Sequence, residues 1–322
     1  MSVVKPKDLA LTEERLAPGH RLCPGCAEPT TLKLVLKASE EPVIACSATG
    51  CLEVSTSIYP FTSWNIPWIH SAFENAAATA AGVEAAIKAL RRSVVYKYDK
   101  VNVLAVAGDG GTFDIGFQSL SGAFERYHKI VYLLLDNEAY MNTGIQRSGG
   151  TPRYASTTTS PDGSVIHGKL QTKKQISRIM VEHEPAYVAT ISAAFWQDLM
   201  QKAKKAFAAN GPAFLHAIAP CPRGWRHADN LAIELCRLAV QTCIFPLWEA
   251  ENIEGKMVYK LSAPSKQIAK NPDKKKPIVE YLKLQGRYRH LFKLEEKTDL
   301  IRDIQNWVDT EWDVILERAG EK

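Results

Sequence analysis

The feature that most constrains this chain is a series of short, uninterrupted apolar segments separated by helical patterns. "VNVLAVAG" (101–108), "KIVYLLLD" (129–136), "AYVATIS" (186–192) and "PAFLHAIAP" (212–220) are apolar at nearly every position. A strand with one wet face alternates apolar and polar residues, whereas one covered on both faces does not. Between these segments, "TFDIGFQSLSGAFERY", "KKQISRIMVEH" and "FWQDLMQKAKKAFAAN" read as helices. The alternation predicts an α/β fold, a parallel sheet flanked by helices on both faces. "SAFENAAATAAGVEAAIKALRR" (71–92) is the clearest helix, and its alanines suit close packing on a sheet.

Upstream lie a short helical pattern, "TTLKLVLKAS", a β-like run, "PVIACSATG" (42–50), and a Trp/Pro-rich loop, "YPFTSWNIPWIH". A long Gly/Thr/Ser-rich loop is expected over about 137–172. Beyond residue 225 the pattern looks helical and then loses periodicity, with an exposed linker expected over 265–277. The expected organisation is an α/β domain over 1–225 and a helical C-terminal extension and subunit-contact tail over 226–322.

A chain of 322 residues can bury a large core without disulfide support. No apolar run approaches the ~20 residues of a membrane span. The N-terminal "MSVVKPKDLALTEERL" mixes acids with bases and reads as neither signal nor transit peptide, so a cytoplasmic location is expected. In that compartment seven cysteines point to metal binding or buried thiols rather than a disulfide framework. The net charge of +5 gathers partly in "KNPDKKK" (270–276), a solvated loop or a docking surface for an acidic partner. No basic stripe with interleaved aromatics argues for nucleic acid.

Ligands of open parallel sheets bind beyond the carboxyl ends of the strands. Cys51 follows the run 42–50, "GDGG" (108–111) follows the strand 101–107, "NEAYMNTG" (137–144) follows 129–136, and Cys221 follows 212–220. A packing argument does not predict that bunching. Glycines let a backbone approach a bulky anion, and a helix start follows to receive it. Asp109 among Gly108, Gly110 and Gly111 would repel a bare diphosphate, unless a divalent cation lies between them. One helix and one strand separate Gly111 from Asp136–Asn137, which makes the two loops neighbours. Mg²⁺ takes about six oxygens. The Asp109 carboxylate, the Asn137 side-chain carbonyl, the Ala139 backbone carbonyl and two diphosphate oxygens supply five, and water a sixth. The bland alternative is that Gly-Asp-Gly is a tight turn. Cys23 and Cys26, in "HRLCPGCAEP", form a second candidate site. By spacing alone they could join Cys46 and Cys51 around zinc, although Cys46 lies inside a strand pattern and Cys51 past its end.

Gly-Asp-Gly followed at this interval by Asn resembles the thiamine diphosphate motif. Together with "CPGCAE" (23–28), "ATGC" (48–51) and "LLLDNEAYMNTGIQ" (133–146), the chain resembles the β subunits of the 2-oxoacid:ferredoxin oxidoreductases, most of all the pyruvate-oxidising branch. "GPAFLHAIAPCPRGW" and "VEYLKLQGRYRHLF" extend the likeness from about residue 20 to the end. The resemblance implies thiamine diphosphate with Mg²⁺, and one [4Fe-4S] cluster on Cys23, Cys26, Cys51 and Cys221, with Cys51 also beside the thiamine. It places Glu28 in the thiamine contact shell, where a helix-start acid is the alternative reading. It lines the diphosphate and thiazolium with Asn137, Glu138, Ala139, Tyr140, Met141 and Asn142, Asn142 also facing substrate.

The implied reaction decarboxylates pyruvate, or another 2-oxoacid (2-oxoglutarate, a branched-chain or aryl acid, oxalate), passes electrons through the cluster to ferredoxin and the acyl group to coenzyme A. The implied assembly adds α, γ and δ subunits, because the glutamate that activates the aminopyrimidine, further clusters and a coenzyme A module are not recognisable here. Cys46, Cys236 and Cys243 are expected as buried structural thiols. His70 is expected as a hydrogen-bonded structural residue or one facing the site. A zinc-bearing structural subunit is the distant alternative.

Overall fold

Every residue of Val131–Asp136, Tyr187–Ser192 and Ala213–Ile218 is buried, as strands covered on both faces must be. The computed structural model describes residues 6–93, 100–293 and 297–322. Residues 1–5, at the head of the segment read for targeting signals, lie outside the described residues. The strands are β1 (Val43–Ser47), β2 (Trp68–His70), β3 (Asn102–Gly108), β4 (Val131–Asp136), β5 (Tyr187–Ser192), β6 (Ala213–Ile218), β7 (Trp248–Ile253) and β8 (Lys256–Leu261). They form one eight-stranded sheet in the order β2-β1-β3-β4-β6-β5-β7-β8. The first six run parallel, and β7 and β8 add antiparallel. The expected α/β architecture is the observed one.

Alternate side chains of one strand feed two separate cores, because successive residues of a strand point to opposite faces. Leu104 and Val106 of β3 join Leu32, Val35, Leu133, Leu199 and Leu215 on one face. Ala105 and Ala107 join Ala77, Ala80, Phe124, Leu134 and Phe214 on the other. The helix Ala76–Arg92 turns Ala76, Ala77, Ala80 and Ala81 inward, so its axis can approach the sheet closely. Burying a side chain such as Leu133 contributes on the order of 1.5–3 kcal/mol.

Register places the site. Gly108 pairs with Leu135 and Asp136 with Ile218, so the residues that follow β3, β4 and β6 leave the sheet along one edge. Ser47 pairs with Val106, which brings the end of β1 to the same edge.

Four segments differ from expectation. The Trp/Pro-rich loop ends in β2, whose His70 pairs with Ser47. The helix expected over "TFDIGFQSLSGAFERY" divides into a wide helical turn, Gly110–Asp114, and a helix, Phe117–Glu125. The extension beyond 225 is not wholly helical. β7 and β8 form a hairpin there, turning at Glu254 and Gly255, both at positive φ, as a two-residue turn of a twisted ribbon requires. Its outer face carries Glu249 opposite Lys260, but the exposed apolar side chains Ile253 and Val258 share that face and break the two-residue period. The stretch expected as an exposed linker holds a helix, Ala263–Lys270, with Ser265 and Ile268 buried. The last helix, Thr298–Arg318, packs Ile304, Val308, Trp312 and Ile315 into the core that also contains Trp225 and Trp248. Among the described residues no helix is long and apolar enough to cross a membrane.

Candidate cofactor site

The carboxyl edge of β1, β3 and β4 opens into a cleft. Glu28, Gly50, Cys51, Gly108, Asp109, Gly110, Asn137, Ala139, Tyr140, Met141 and Asn142 all line it. Gly111 is buried in the helical turn just behind. The structure thus brings together most of the residues singled out from the sequence.

Asp109 is 1% exposed and accepts a short hydrogen bond from the Ser148 hydroxyl. Burial first, and then the nearby Asp136 carboxylate, push its carboxyl well above the usual range, against Ser148 and the more distant Lys173. Asn137 is buried too. Its Nδ2 donates to Glu28 Oε1 at 2.7 Å, while its Oδ1 and Glu28 Oε2 are buried without a hydrogen-bond partner. Burial raises the Glu28 carboxyl to about 7, opposed by the Asn137 amide. Unsatisfied buried oxygens are rare and call for an ion, a water or a ligand. Asp109, Asn137 Oδ1 and the Ala139 carbonyl are hard oxygen donors of the kind Mg²⁺ takes, so the residues present fit a cation-bridged diphosphate.

Behind them lies a buried charge network that the motifs did not reveal. Lys173 Nζ contacts Asp136 Oδ2 at 2.5 Å and Glu138 Oε1 at 2.7 Å. His216 Nε2 meets Asp136 Oδ2 at 2.7 Å, and its Nδ1 meets Ser177 Oγ at 2.7 Å. Burial opposes it, but Lys173 and His216 hold the Asp136 carboxyl below the usual range. Glu138, expected among the residues lining the diphosphate and thiazolium, turns its carboxylate toward Lys173 and Arg287. The signal for His216 was legible: it is the one polar side chain inside the apolar strand 213–218. Ser148, Lys173 and Arg287 carried no such mark.

Of the candidate cluster cysteines, Cys51 lines the cleft, and Cys23, Cys26 and Cys221 stand within electrostatic reach of it or of one another. Cys51 opens the helix Cys51–Thr56, and Cys221 precedes a wide helical turn, Pro222–Arg226, where Gly224 N–H donates to its sulfur at 3.3 Å. The turn at Cys23–Cys26 closes with a 3.0 Å bond from Cys26 N–H to the Cys23 carbonyl. Gly25 there has φ +76°, and a Cβ would stand 2.3 Å from the Asp229 carbonyl oxygen, so only glycine fits. Ala27 N–H to the Pro220 carbonyl ties this turn to the Cys221 loop. Cys26 lies within electrostatic reach of Cys221 and Cys51, Cys51 of Cys221 and Cys23, and Cys221 of Cys23. Burial, then the Glu28 carboxylate, push the Cys26 and Cys51 thiols up.

Among the described residues no three His, Cys, Asp or Glu side chains are drawn tightly enough to hold one metal ion. Cys46, Cys236 and Cys243 are buried, as expected, and belong to the hydrophobic core. His70 is exposed at the rim, its Nε2 3.0 Å from Thr49 Oγ1.

Residues 48–217 match the family of thiamine pyrophosphate enzymes through their C-terminal TPP-binding domain. The chain is 52% identical to the pyruvate synthase subunit PorB of Methanocaldococcus jannaschii over 92% of its length and 95% of that protein. It is 46% identical to PorB of Thermotoga maritima, covering 96% of this chain and 92% of that one.

The chain belongs to the PorB family of pyruvate synthase subunits.

As a PorB-family member it is an oxidoreductase subunit with a thiamine pyrophosphate-binding domain, the family that its motifs resemble. The ketoisovalerate oxidoreductase subunit VorB of Pyrococcus abyssi is also similar, at 43% identity over 95% of this chain and 94% of that one. A 2-oxoglutarate:ferredoxin oxidoreductase from Magnetococcus marinus shares the fold, with a TM-score of 0.55 at 21% identity over 85% of this chain and 91% of that one.

Proposed function

We propose that this chain is the β subunit of a pyruvate:ferredoxin oxidoreductase and holds thiamine diphosphate through Mg²⁺ and one [4Fe-4S] cluster. Asp109, Asn137 Oδ1 and the Ala139 carbonyl would hold the cation, and Gly108, Gly110 and Gly111 would admit the diphosphate. Cys23, Cys26, Cys51 and Cys221 would hold the cluster, since iron–sulfur clusters take four thiolates. The observation that carries the reading is the bare, buried Asn137 Oδ1 in the cleft that Asp109 also lines.

Bound thiamine supplies the electron sink that lets a 2-oxoacid lose CO₂, and the cluster accepts the electrons that remain. This chain's residues position and exclude water. Glu28 lies buried against the Asn137 amide and fixes which way that amide points. Asn142, exposed at the mouth of the cleft, stands where substrate would enter. Cys51 lines the cleft as well, so electron donor and acceptor would stand close together. Coenzyme A would receive the acyl group and ferredoxin the electrons, in either direction. The α, γ and δ subunits would supply the activating glutamate, further clusters and the coenzyme A site, and the chain alone would be inactive. A cytoplasmic location is part of the same reading.

Cys46 speaks against the zinc alternative. Its side chain is 0% exposed in the core, and burial alone pushes its thiol up to about 12, with no neighbouring thiol contributing. A branched-chain 2-oxoacid is the second reading, favoured by the similarity to VorB. The test is anaerobic assembly of the chain with its partner subunits, iron and sulfide analysis with absorbance near ~400 nm, and assay against a panel of 2-oxoacids. Coenzyme A-dependent oxidation led by pyruvate is the expected result. A colourless assembly containing one zinc overturns the reading.

A further inference from the structure

Arg287 lies in the helical turn Gly286–Phe292, in a part of the chain that no cofactor motif reaches. Its side chain is 2% exposed. One guanidinium nitrogen donates to Glu138 Oε2 at 2.5 Å, across 149 positions of sequence. Nε donates to Gln285 Oε1 at 2.9 Å. The guanidinium carbon stands 3.9 Å from the centre of the Trp225 ring. One side chain therefore touches both loops of the candidate site: Glu138 follows Asn137, and Trp225 follows Cys221.

Each contact holds something that would otherwise relax. Glu138 has φ +69°, in the left-handed region that a non-glycine residue holds only when its surroundings constrain it. Its carboxylate is pinned from two sides by Arg287 and Lys173. Trp225 Nε1 donates to the Asn137 carbonyl at 2.7 Å, and the ring that makes this bond is the ring beneath Arg287. The Arg287 carbonyl also accepts from Ser156 N–H at 3.0 Å, which ties in the long loop.

We propose that Arg287 is a positioning residue that keeps the Asn137–Glu138 backbone aimed at the cation and in register with the Cys221 loop. The inference rests on the cofactor reading above. A planar guanidinium donates in its plane to Glu138 while its face stacks on Trp225; an ammonium has donors but no face to lay against the ring. The C-terminal tail is thereby part of the cofactor site, although it supplies no ligand.

The test uses the assembled enzyme stripped of thiamine diphosphate, with the Arg287→Lys variant and the Glu138→Gln/Arg287→Met pair, which leaves no uncompensated carboxylate should a single neutral variant misfold. Mg²⁺-dependent thiamine diphosphate affinity is measured by calorimetry at 25 °C, beside iron content and melting temperature. The expected result is a loss of affinity of about 10- to 100-fold with iron per chain unchanged. Affinity within twofold of wild type in both variants overturns the inference, even where the melting temperature falls, since that is what a purely structural role gives. A wild-type enzyme that binds no thiamine diphosphate overturns the parent reading and this one together. A wild-type enzyme that binds it, with variants that match, overturns this one alone.

Discussion

Asn137 gives its amide nitrogen to Glu28 and keeps its carbonyl oxygen bare: Nδ2 lies 2.7 Å from Glu28 Oε1, and the buried Oδ1 has no partner. The Glu28 Oε1 accepts from the NH₂ end, which leaves the amide oxygen for a cation. Asp109→Asn and Asn137→Ala should each lower Mg²⁺-dependent thiamine diphosphate affinity at least about tenfold, or ~1.4 kcal/mol. Titration of stripped, assembled enzyme with and without a chelator reads this out. Affinity that ignores both the substitutions and the chelator would sink the cation-bridge reading.

The cysteines separate into two groups with opposite expectations. Serine at Cys23, Cys26, Cys51 or Cys221 should lower iron and the visible absorbance per chain. Cys46→Ala should leave both unchanged, with a stability loss on the order of 1 kcal/mol from the missing core contacts. Loss of metal in Cys46→Ala and its retention in Cys221→Ser would instead favour the zinc set.

Gly25→Ala puts a Cβ 2.3 Å from the Asp229 carbonyl oxygen at φ +76°. Backbone cannot yield as a flexible side chain can, so a cost of about 1–3 kcal/mol is expected. The Cys23–Cys26 turn is what must shift. Iron content after anaerobic assembly should therefore fall together with the melting temperature.

Lys173→Met removes the cation that Asp136 and Glu138 share. Two buried carboxylates then lose a partner, and breaking a buried pair in this way costs about 3–5 kcal/mol. Denaturant unfolding of the variant should show that loss. A change within 0.5 kcal/mol, the scale of ordinary surface substitutions, would show that the network is not structural.

Lys169 carries a pH dependence. Burial, then the positive charges of Arg147 and Lys173, bring its ammonium down to about 8 from 10.5. Between those values the unfolded chain holds the proton that the folded chain has released, so stability rises with pH. The contribution is fully present above the unfolded value and is lost as pH falls through about 8. Lys169→Met should remove that part of the slope, read as the wild-type minus variant difference in unfolding free energy across the window.

Local pattern was enough for much of this. Continuous apolar runs announced the parallel strands, and the residues that follow β1, β3 and β4 are recognisable as edge residues from the sequence alone. The β7–β8 hairpin escaped because Ile253 and Val258, apolar but on the exposed face with Glu249 and Lys260, break the two-residue period. The helix Ala263–Lys270 escaped because its buried face is only Ser265 and Ile268.

The sequence by itself determined the chemistry available: which thiols, carboxylates and amides stand at strand ends, and the family in which that set recurs. Tertiary structure decided how those groups are held. Asp136, Lys173, His216, Glu138, Trp225 and Arg287 come from distant segments and meet only in the folded chain. The reason is physical: backbone periodicity and turn chemistry are local and can be read in a short window, whereas a buried charge network is set by electrostatic and packing contacts between residues as far apart as Glu138 and Arg287.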